Sequence, residues 1–282
     1  VDPSLKFVAL EMCCGSENWA QTFAAGVSPS APVDVVATHY YSSCNQRDTD
    51  AQVFGTFPSF ASSVQTIYSY LSANPTLANV PVWITENNVN ADFNTGNGGS
   101  ACNPNQTFVD DQRGSSAFFA AWRPYVFSQV GQAGARALYH WDFAADAQFG
   151  EMNDSNGQTR LSYWVDYWLA QMFPGGSGQT LLQLTNSNNA QIEVLPVSNS
   201  NGSVIVMISN HAVASSSDNN GAGLTANISV DVSALGTFTS GSKVTIDSTT
   251  SPITGPTAVS VSPASPIAVS IKGYGVTFLK LQ

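Results

Sequence analysis

Glu86 closes the run Val80-Pro81-Val82-Trp83-Ile84-Thr85-Glu86 and is followed by Asn87 and Asn88. β-Branched and aromatic residues after a proline predict a buried strand of a mostly parallel sheet. A carboxylate at the end of such a strand is costly to desolvate unless it is paired or used. In α/β architectures, ligands gather at the C-terminal strand ends. Glu86 is therefore the candidate catalytic carboxylate. The competing reading is a strand-end Glu held in a surface salt bridge. Glu11 follows an earlier apolar run, Leu5 to Leu10, and is the other strand-end Glu. It is a candidate second carboxylate, with a structural role as the alternative. No CxxC or Cys/His spacing suggests a metal site, and the three His are scattered.

The elements that must position these carboxylates alternate. Strands are expected at Leu5–Leu10, Val33–Tyr41, Val80–Glu86 and Arg136–Phe143. Between them, Ser16–Ala25 reads as a short helix with Ser16 as a possible cap. Phe57, Phe60, Val64, Ile67 and Leu71 recur at helical spacing within a helix expected over 54–71. Asp110–Gln132 and Ser162–Phe173 read as further amphipathic helices. Asp92–Asn105 is a Gly/Asn-rich loop, too long for a simple connection and so expected to be functional or disordered. Four strand–helix units in alternation predict a parallel α/β sheet. Pro174-Gly175-Gly176-Ser177-Gly178 breaks the pattern. Beyond it, short alternating runs at 191–197, 203–210, 224–232, 243–248, 257–261 and 267–281 predict an antiparallel β-sandwich. The expected domains are 1–174 and 179–282.

The chain has 282 residues, of which 43% are hydrophobic, 11% aromatic and only 10% charged, with a formal net charge of −10. Such a chain repels nucleic acid and anionic membrane surfaces. No run is long and apolar enough to span a membrane as a helix. Cys13, Cys14, Cys44 and Cys102 are the four cysteines. Cys13, Cys44 and Cys102 each lie just past an expected strand, so their loops can meet at one end of a sheet. One or two disulfides are expected, and with them an oxidising, extracellular compartment. Asn105, Asn153, Asn201 and Asn227 head N-glycosylation acceptor triplets. The sequence opens at Val1 rather than Met, without a secretory leader, so loss of an upstream segment is expected.

The first part of the chain resembles the C-terminal half of a clan A glycoside hydrolase barrel, of the families 39, 51, 79 and 30. Val1-Asp2-Pro3-Ser4-Leu5-Lys6-Phe7-Val8 resembles the entry to the fifth barrel strand. Thr38-His39-Tyr40-Tyr41 resembles the end of the sixth. Trp83-Ile84-Thr85-Glu86-Asn87 resembles the seventh, where these families keep a nucleophilic Glu. Tyr139-His140-Trp141-Asp142-Phe143 resembles the eighth. Residues 179–282 resemble the β-sandwich that follows the barrel. The resemblance implies half of a (β/α)8 TIM-type barrel, with strands one to four absent, since a full barrel takes ~250 residues. In the family the acid/base Glu follows an Asn on strand four, and this sequence contains no Asn-Glu dipeptide.

The implied activity is retaining glycoside hydrolysis of a β-linked sugar, which needs two carboxylates and no cofactor. Glu86 takes the nucleophile role, and Glu11 is the low-ranked second carboxylate. With a period of two, Val82, Ile84 and Glu86 are expected to share one face, His39 and Tyr41 another, and Tyr139, Trp141 and Phe143 a third. If these faces point inward, Tyr41 can bond Glu86 and Trp141 can floor a sugar site. His39, Tyr41, Asn87 and Trp141 are the expected substrate-binding residues. Asp146 and Glu151, in the loop beyond the fourth strand, can line the cleft or simply be solvated. The expected partners are an oligo- or polysaccharide and a second chain or homodimer mate that completes the barrel. A non-catalytic carbohydrate-binding protein and a half-barrel assembly protein are the alternatives.

Overall fold

A computed structural model describes residues 4–13, 17–30, 33–175, 178–185 and 189–282. The expected cap Ser16 and the cysteine Cys14 lie outside the described residues. The chain divides into two compact units. The first holds Val1–Gln46, Gly55–Val109 and Gln129–Asp142; the second holds Arg47–Phe54, Asp110–Ser128 and Phe143–Gln282.

The first unit is built on a four-stranded sheet. Its strands are β1 (Val8–Met12), β2 (Val35–Ser43), β3 (Val82–Asn90) and β4 (Ala137–Leu138). They lie side by side in chain order, and every pair is parallel. Helices α1 (Glu17–Gly26) and α3 (Phe57–Ser72) belong to this unit, whereas the short helix α2 (Asp50–Phe54), which precedes α3 in the chain, belongs to the second. On α3 the helical spacing does what it predicts: Phe57, Val64, Ile67 and Leu71 are buried. Pro58 sits in the first turn, where its missing N–H costs no hydrogen bond. Val36, Val82 and Ile84 are wholly buried among the unit's core residues. The Tyr68 hydroxyl ties α3 to the sheet. It donates to the Gly134 carbonyl at 2.7 Å and accepts from the Val82 amide at 3.0 Å.

Two irregularities in the strand pairing were not expected from the sequence. Between β2 and β3, Thr38 pairs with Ile84 but His39 pairs with Glu86. One residue on β2 thus faces two on β3, which is a bulge at Thr85. The same extra residue disturbs the other side of β3. The Tyr139 amide reaches the Ile84 carbonyl at 2.8 Å, and the Trp141 amide reaches that of Asn87 at 3.2 Å. Two residues there span three on β3. The expected eight-residue strand over 136–143 is accordingly only Ala137–Leu138. Between β1 and β2 the register also shifts, between Ala9 and Met12, where Leu10 and Glu11 take φ values of 85° and 44°.

The loop after β3 is ordered by its own polar groups. Asp92 accepts from the amides of Phe93 and Cys102, and Asn94 accepts from those of Gly96 and Gly98. A disulfide joins Cys44, just past β2, to Cys102 in this loop.

The second unit holds helix α5 (Leu161–Met172), the short strands β5 (Ala144–Ala145) and β6 (Met152–Asn153), and an antiparallel part. Helix α4 (Ala117–Gln132) begins among its residues. The antiparallel strands are β7 (Thr180–Leu181), β8 (Ile192–Ser198), β9 (Val204–Asn210), β10 (Ala226–Val230), β11 (Gly241–Asp247), β12 (Val259–Val261), β13 (Ile267–Ile271) and β14 (Gly275–Leu281). Six form one sheet in the order β12-β11-β14-β9-β8-β7, and β10 pairs with β13. Ile192, Val206, Ile208, Leu279 and Leu281 from the larger sheet pack with Val269 and Ile271 from the pair. The single run expected over 267–281 is two strands. Gly273 divides them with φ 71°, and a Cβ there would run into the Ala222 carbonyl oxygen.

A buried ionic knot closes this unit. Arg113, wholly buried, donates from Nε and Nη2 to the Asp111 carboxylate at 2.8 and 2.6 Å. Its Nη1 donates to the Asp48 carbonyl at 2.7 Å and lies 3.5 Å from Asp50 Oδ1. Asp50 in turn accepts from the Tyr274 hydroxyl at 3.0 Å and from the amides of Asn220 and Gly221. Residues far apart in sequence share these charges, so none of this was legible as a pattern.

Candidate active site

Glu11, His39, Tyr41 and Glu86, singled out in the sequence, meet across β1, β2 and β3, with Glu86 midway along β3 rather than closing it, since the strand runs on to Asn90. Tyr41 on β2 donates its hydroxyl to Glu86 Oε2 on β3 at 2.9 Å. His39, two residues earlier on the same face of β2, puts Nδ1 3.3 Å from that oxygen. Its Nε2 lies 2.9 Å from Glu11 Oε2 on β1. Thr85 completes the group by donating its hydroxyl to Glu11 Oε2 at 2.5 Å. One chain of polar contacts therefore runs Thr85–Glu11–His39–Glu86–Tyr41 across three parallel strands.

The bulge explains how two consecutive residues serve the same group. In a regular strand Thr85 and Glu86 would point to opposite faces. With one residue extra, both reach the Glu11–His39–Tyr41 side, while Val82 and Ile84 are wholly buried. The expectation that Val82, Ile84 and Glu86 share a face is corrected by this register. Thr85 was missed for the same reason. The signal available was the break of alternation itself, where the apolar strand turns into Thr-Glu-Asn-Asn.

The geometry leaves one carboxylate oxygen of Glu86 for chemistry. Oε2 is engaged by Tyr41 and His39, whereas Oε1 has no hydrogen bond among the described residues. The Glu86 side chain is about a quarter exposed, at 27%. It is sheltered enough to be held and open enough to be reached. Burial raises the Tyr41 hydroxyl pKa, and the bond to Glu86, its charge and that of Asp142 add to the shift. Tyr41 is thus fixed as a neutral donor to a carboxylate.

The remaining site residues divide. Asn87, expected to bind substrate, is wholly buried, and its amide donates to the Tyr40 carbonyl at 2.9 Å. It sits within the sheet and ties β3 to β2. Asn88, also buried, donates to the Trp141 carbonyl at 2.6 Å and lies 3.1 Å from His140 Nε2. The two amides therefore hold the backbone around them. Trp141 is 45% exposed, beyond the end of β4, with Tyr139 similarly exposed and stacked at a tilt on Trp83.

Solved structures share this architecture. The family 51 arabinofuranosidase from Xanthomonas axonopodis pv. citri superposes with a TM-score of 0.66 at 13% identity, over 100% of this chain and 59% of its own. The family 30 endoxylanase from Clostridium papyrosolvens C71 gives 0.61 at 13% identity, over 100% and 57%. The family 44 xyloglucanase from Paenibacillus polymyxa gives 0.55 at 12%, over 89% and 47%. The fold is that of the C-terminal part of clan A glycoside hydrolases. The chain spans about three fifths of the length of the first two of these structures. No protein-family model matches the sequence, and no curated protein does. At these identities the likeness is one of fold, and the roles of the residues rest on their geometry.

Proposed function

We propose that this chain carries the nucleophile-bearing part of a retaining glycoside hydrolase acting on a β-linked sugar, with Glu86 as the nucleophile. The observation that carries the reading is the asymmetric hold on Glu86: Oε2 taken by Tyr41 and His39, Oε1 without a hydrogen bond among the described residues. Residues 1–174 form the catalytic part and 179–282 the sandwich that accompanies it. The substrate is an oligo- or polysaccharide, in keeping with the arabinofuranosidase, endoxylanase and xyloglucanase that share the fold. The disulfide suits an extracellular setting.

In the first step Glu86 Oε1 bonds to the anomeric carbon as the bond from that carbon to the leaving oxygen breaks. A general acid protonates the departing oxygen. In the second step water, deprotonated by the same group, displaces Glu86 and restores its carboxylate. Tyr41 and His39 hold Glu86 by its Oε2, and the Trp141 ring offers an apolar face for a sugar. The acid/base is supplied by a second polypeptide or a homodimer mate completing the barrel.

A specific observation favours that assembly. Leu5 and Phe7, which lead into β1, and Val8, its first residue, are exposed at 54%, 52% and 42%, and the outer edge of β1 is unpaired among the described residues. An open strand edge entered through exposed apolar residues invites pairing with another strand. Incubation with a 2-fluoro glycoside bearing a dinitrophenolate leaving group tests the reading, because that substrate needs little acid help. A covalent adduct is expected with the natural chain and none with Glu86→Gln. An adduct that persists in the variant removes Glu86 from the role.

A further inference from the structure

Four acceptor triplets for N-linked sugar stand in the sequence, and the site around Glu86 uses none of them. We infer that Asn227 carries an N-linked oligosaccharide. The inference is independent of the glycosidase reading. It needs only the secretory setting that the Cys44–Cys102 disulfide suits.

The fold separates the four triplets. Asn153 Oδ1 accepts from its own triplet's Ser155, from the amide at 2.9 Å and the hydroxyl at 2.6 Å. Asn201 does the same with Ser203, at 3.0 and 2.8 Å, and Ser203 is buried. Asn105 is exposed in the irregular loop after β3. Asn227 is exposed too, and its whole triplet, Asn227-Ile228-Ser229, lies within the strand β10.

That strand fixes where the acceptor points. Successive side chains alternate between faces, so Asn227 and Ser229 share one face and Ala226, Ile228 and Val230 the other. Burial follows the alternation: Asn227 and Ser229 are exposed, while the other three pack against the apolar core of the unit. The neighbouring strand β13 matches. Asn227 lies opposite Ser270 and Ser229 opposite Ala268, both exposed, whereas Ile267, Val269 and Ile271 are buried. Asn227, Ser229, Ala268 and Ser270 thus form an outer face of small, uncharged side chains. Neither the Asn227 amide nor the Ser229 hydroxyl makes a side-chain hydrogen bond among the described residues. An N-linked oligosaccharide is bulky and strongly hydrated, so the finished fold must leave it in water. On this face it meets only small side chains, and the apolar side of β10 keeps its packing.

The co-reactant is a polyprenyl diphosphate-linked oligosaccharide, brought by the transferase of the secretory pathway. Asn227 Nδ2 bonds to the anomeric carbon of the sugar. The bond from that carbon to the diphosphate oxygen breaks and its electron pair leaves with the oxygen. Nδ2 gives up one proton, and the lipid diphosphate departs.

The test is site occupancy in the full chain made by a yeast secretory host. Treatment with peptide-N-glycosidase in oxygen-18 water converts each glycosylated Asn to an Asp that carries the heavy oxygen. Peptide mass spectrometry then reads all four triplets. The natural chain should show the labelled Asp at position 227. Asn227→Gln and Ser229→Ala should each remove one glycan from the intact mass, the second without altering the acceptor Asn. Both substitutions fall on the exposed face, so the melting temperature of the deglycosylated proteins should be unchanged. An unlabelled Asn227 peptide in the natural chain, from secreted or retained protein, overturns the inference. So does an intact mass that Ser229→Ala leaves with the same number of glycans.

Discussion

Tyr41 on one parallel strand donates its hydroxyl to Glu86 Oε2 on the next, at 2.9 Å. A hydrogen bond to a charged group contributes about 1.5–3 kcal/mol. If it orients Glu86 for attack, Tyr41→Phe should slow adduct formation about 10- to 100-fold with little change in melting temperature. Stopped-flow release of dinitrophenolate measures the first, and calorimetry the second.

The Tyr41 and Tyr274 hydroxyls share a second property. Burial, with Glu86 and Asp50 respectively as neighbours, raises both pKa values well above the ordinary phenol value. The fold favours their neutral forms, so its stability should fall as pH rises above that ordinary value of about 10. Ultraviolet titration should show these phenols ionising only as the protein unfolds.

His211 gives the opposite window. Burial lowers its pKa from 6.5 to about 4, with the Ala190 carbonyl bond partly opposing the shift. It stacks on Tyr125 at 4.2 Å, and its Nδ1 is buried without a hydrogen bond among the described residues. The fold favours the neutral ring. That stability is complete above pH 6.5 and is lost as pH falls towards about 4, up to about 3 kcal/mol in all. Asp34 and Asp231 have lowered pKa values, so the stability they add is present throughout this window and is lost only at more acid pH. Melting temperature against pH should therefore drop between 6.5 and 4, and the drop should shrink in His211→Gln.

Arg113 is wholly buried between two carboxylates. Truncating it to Met leaves Asp50 and Asp111 buried without their cation. Breaking a buried pair in this way costs about 3–5 kcal/mol. Urea denaturation should show a loss of that size, while Asp111→Asn should cost less because Arg113 keeps its contacts to Asp50 and the Asp48 carbonyl.

The physical limits of sequence reading are visible in particular residues. The helix Phe57–Ser72 and the strands around Val36 and Ile84 were legible because burial imposes a period on apolar residues. The Tyr41–Glu86 contact was legible too, since both lie on consecutive strands of a parallel sheet. Period two failed at Thr85, because a bulge adds a residue without changing the composition. The burial of Asn87 was hidden because an amide can be satisfied inside a sheet as well as by a ligand. The Asp50–Arg113–Tyr274 knot was hidden because its members are joined only by the fold. The Asp92–Asn105 loop proved ordered through its own Asp and Asn side chains, which composition alone did not separate from disorder.

The Cys44–Cys102 bond spans 58 residues of sequence. In the chain-entropy account a loop of that length contributes about 4 kcal/mol. Cys102→Ser should lower the melting temperature accordingly, and the Phe93–Phe108 loop should become the first segment cleaved by protease. Equal cleavage of the two proteins would show that the loop's own hydrogen bonds suffice.

The central claim is that Glu86 becomes covalently glycosylated through its open oxygen. Proteolysis of the chain after reaction with the 2-fluoro dinitrophenyl glycoside, followed by tandem mass spectrometry, locates the sugar directly. The account predicts one adduct, on Glu86. An adduct on Glu11 or on any other carboxylate would contradict it.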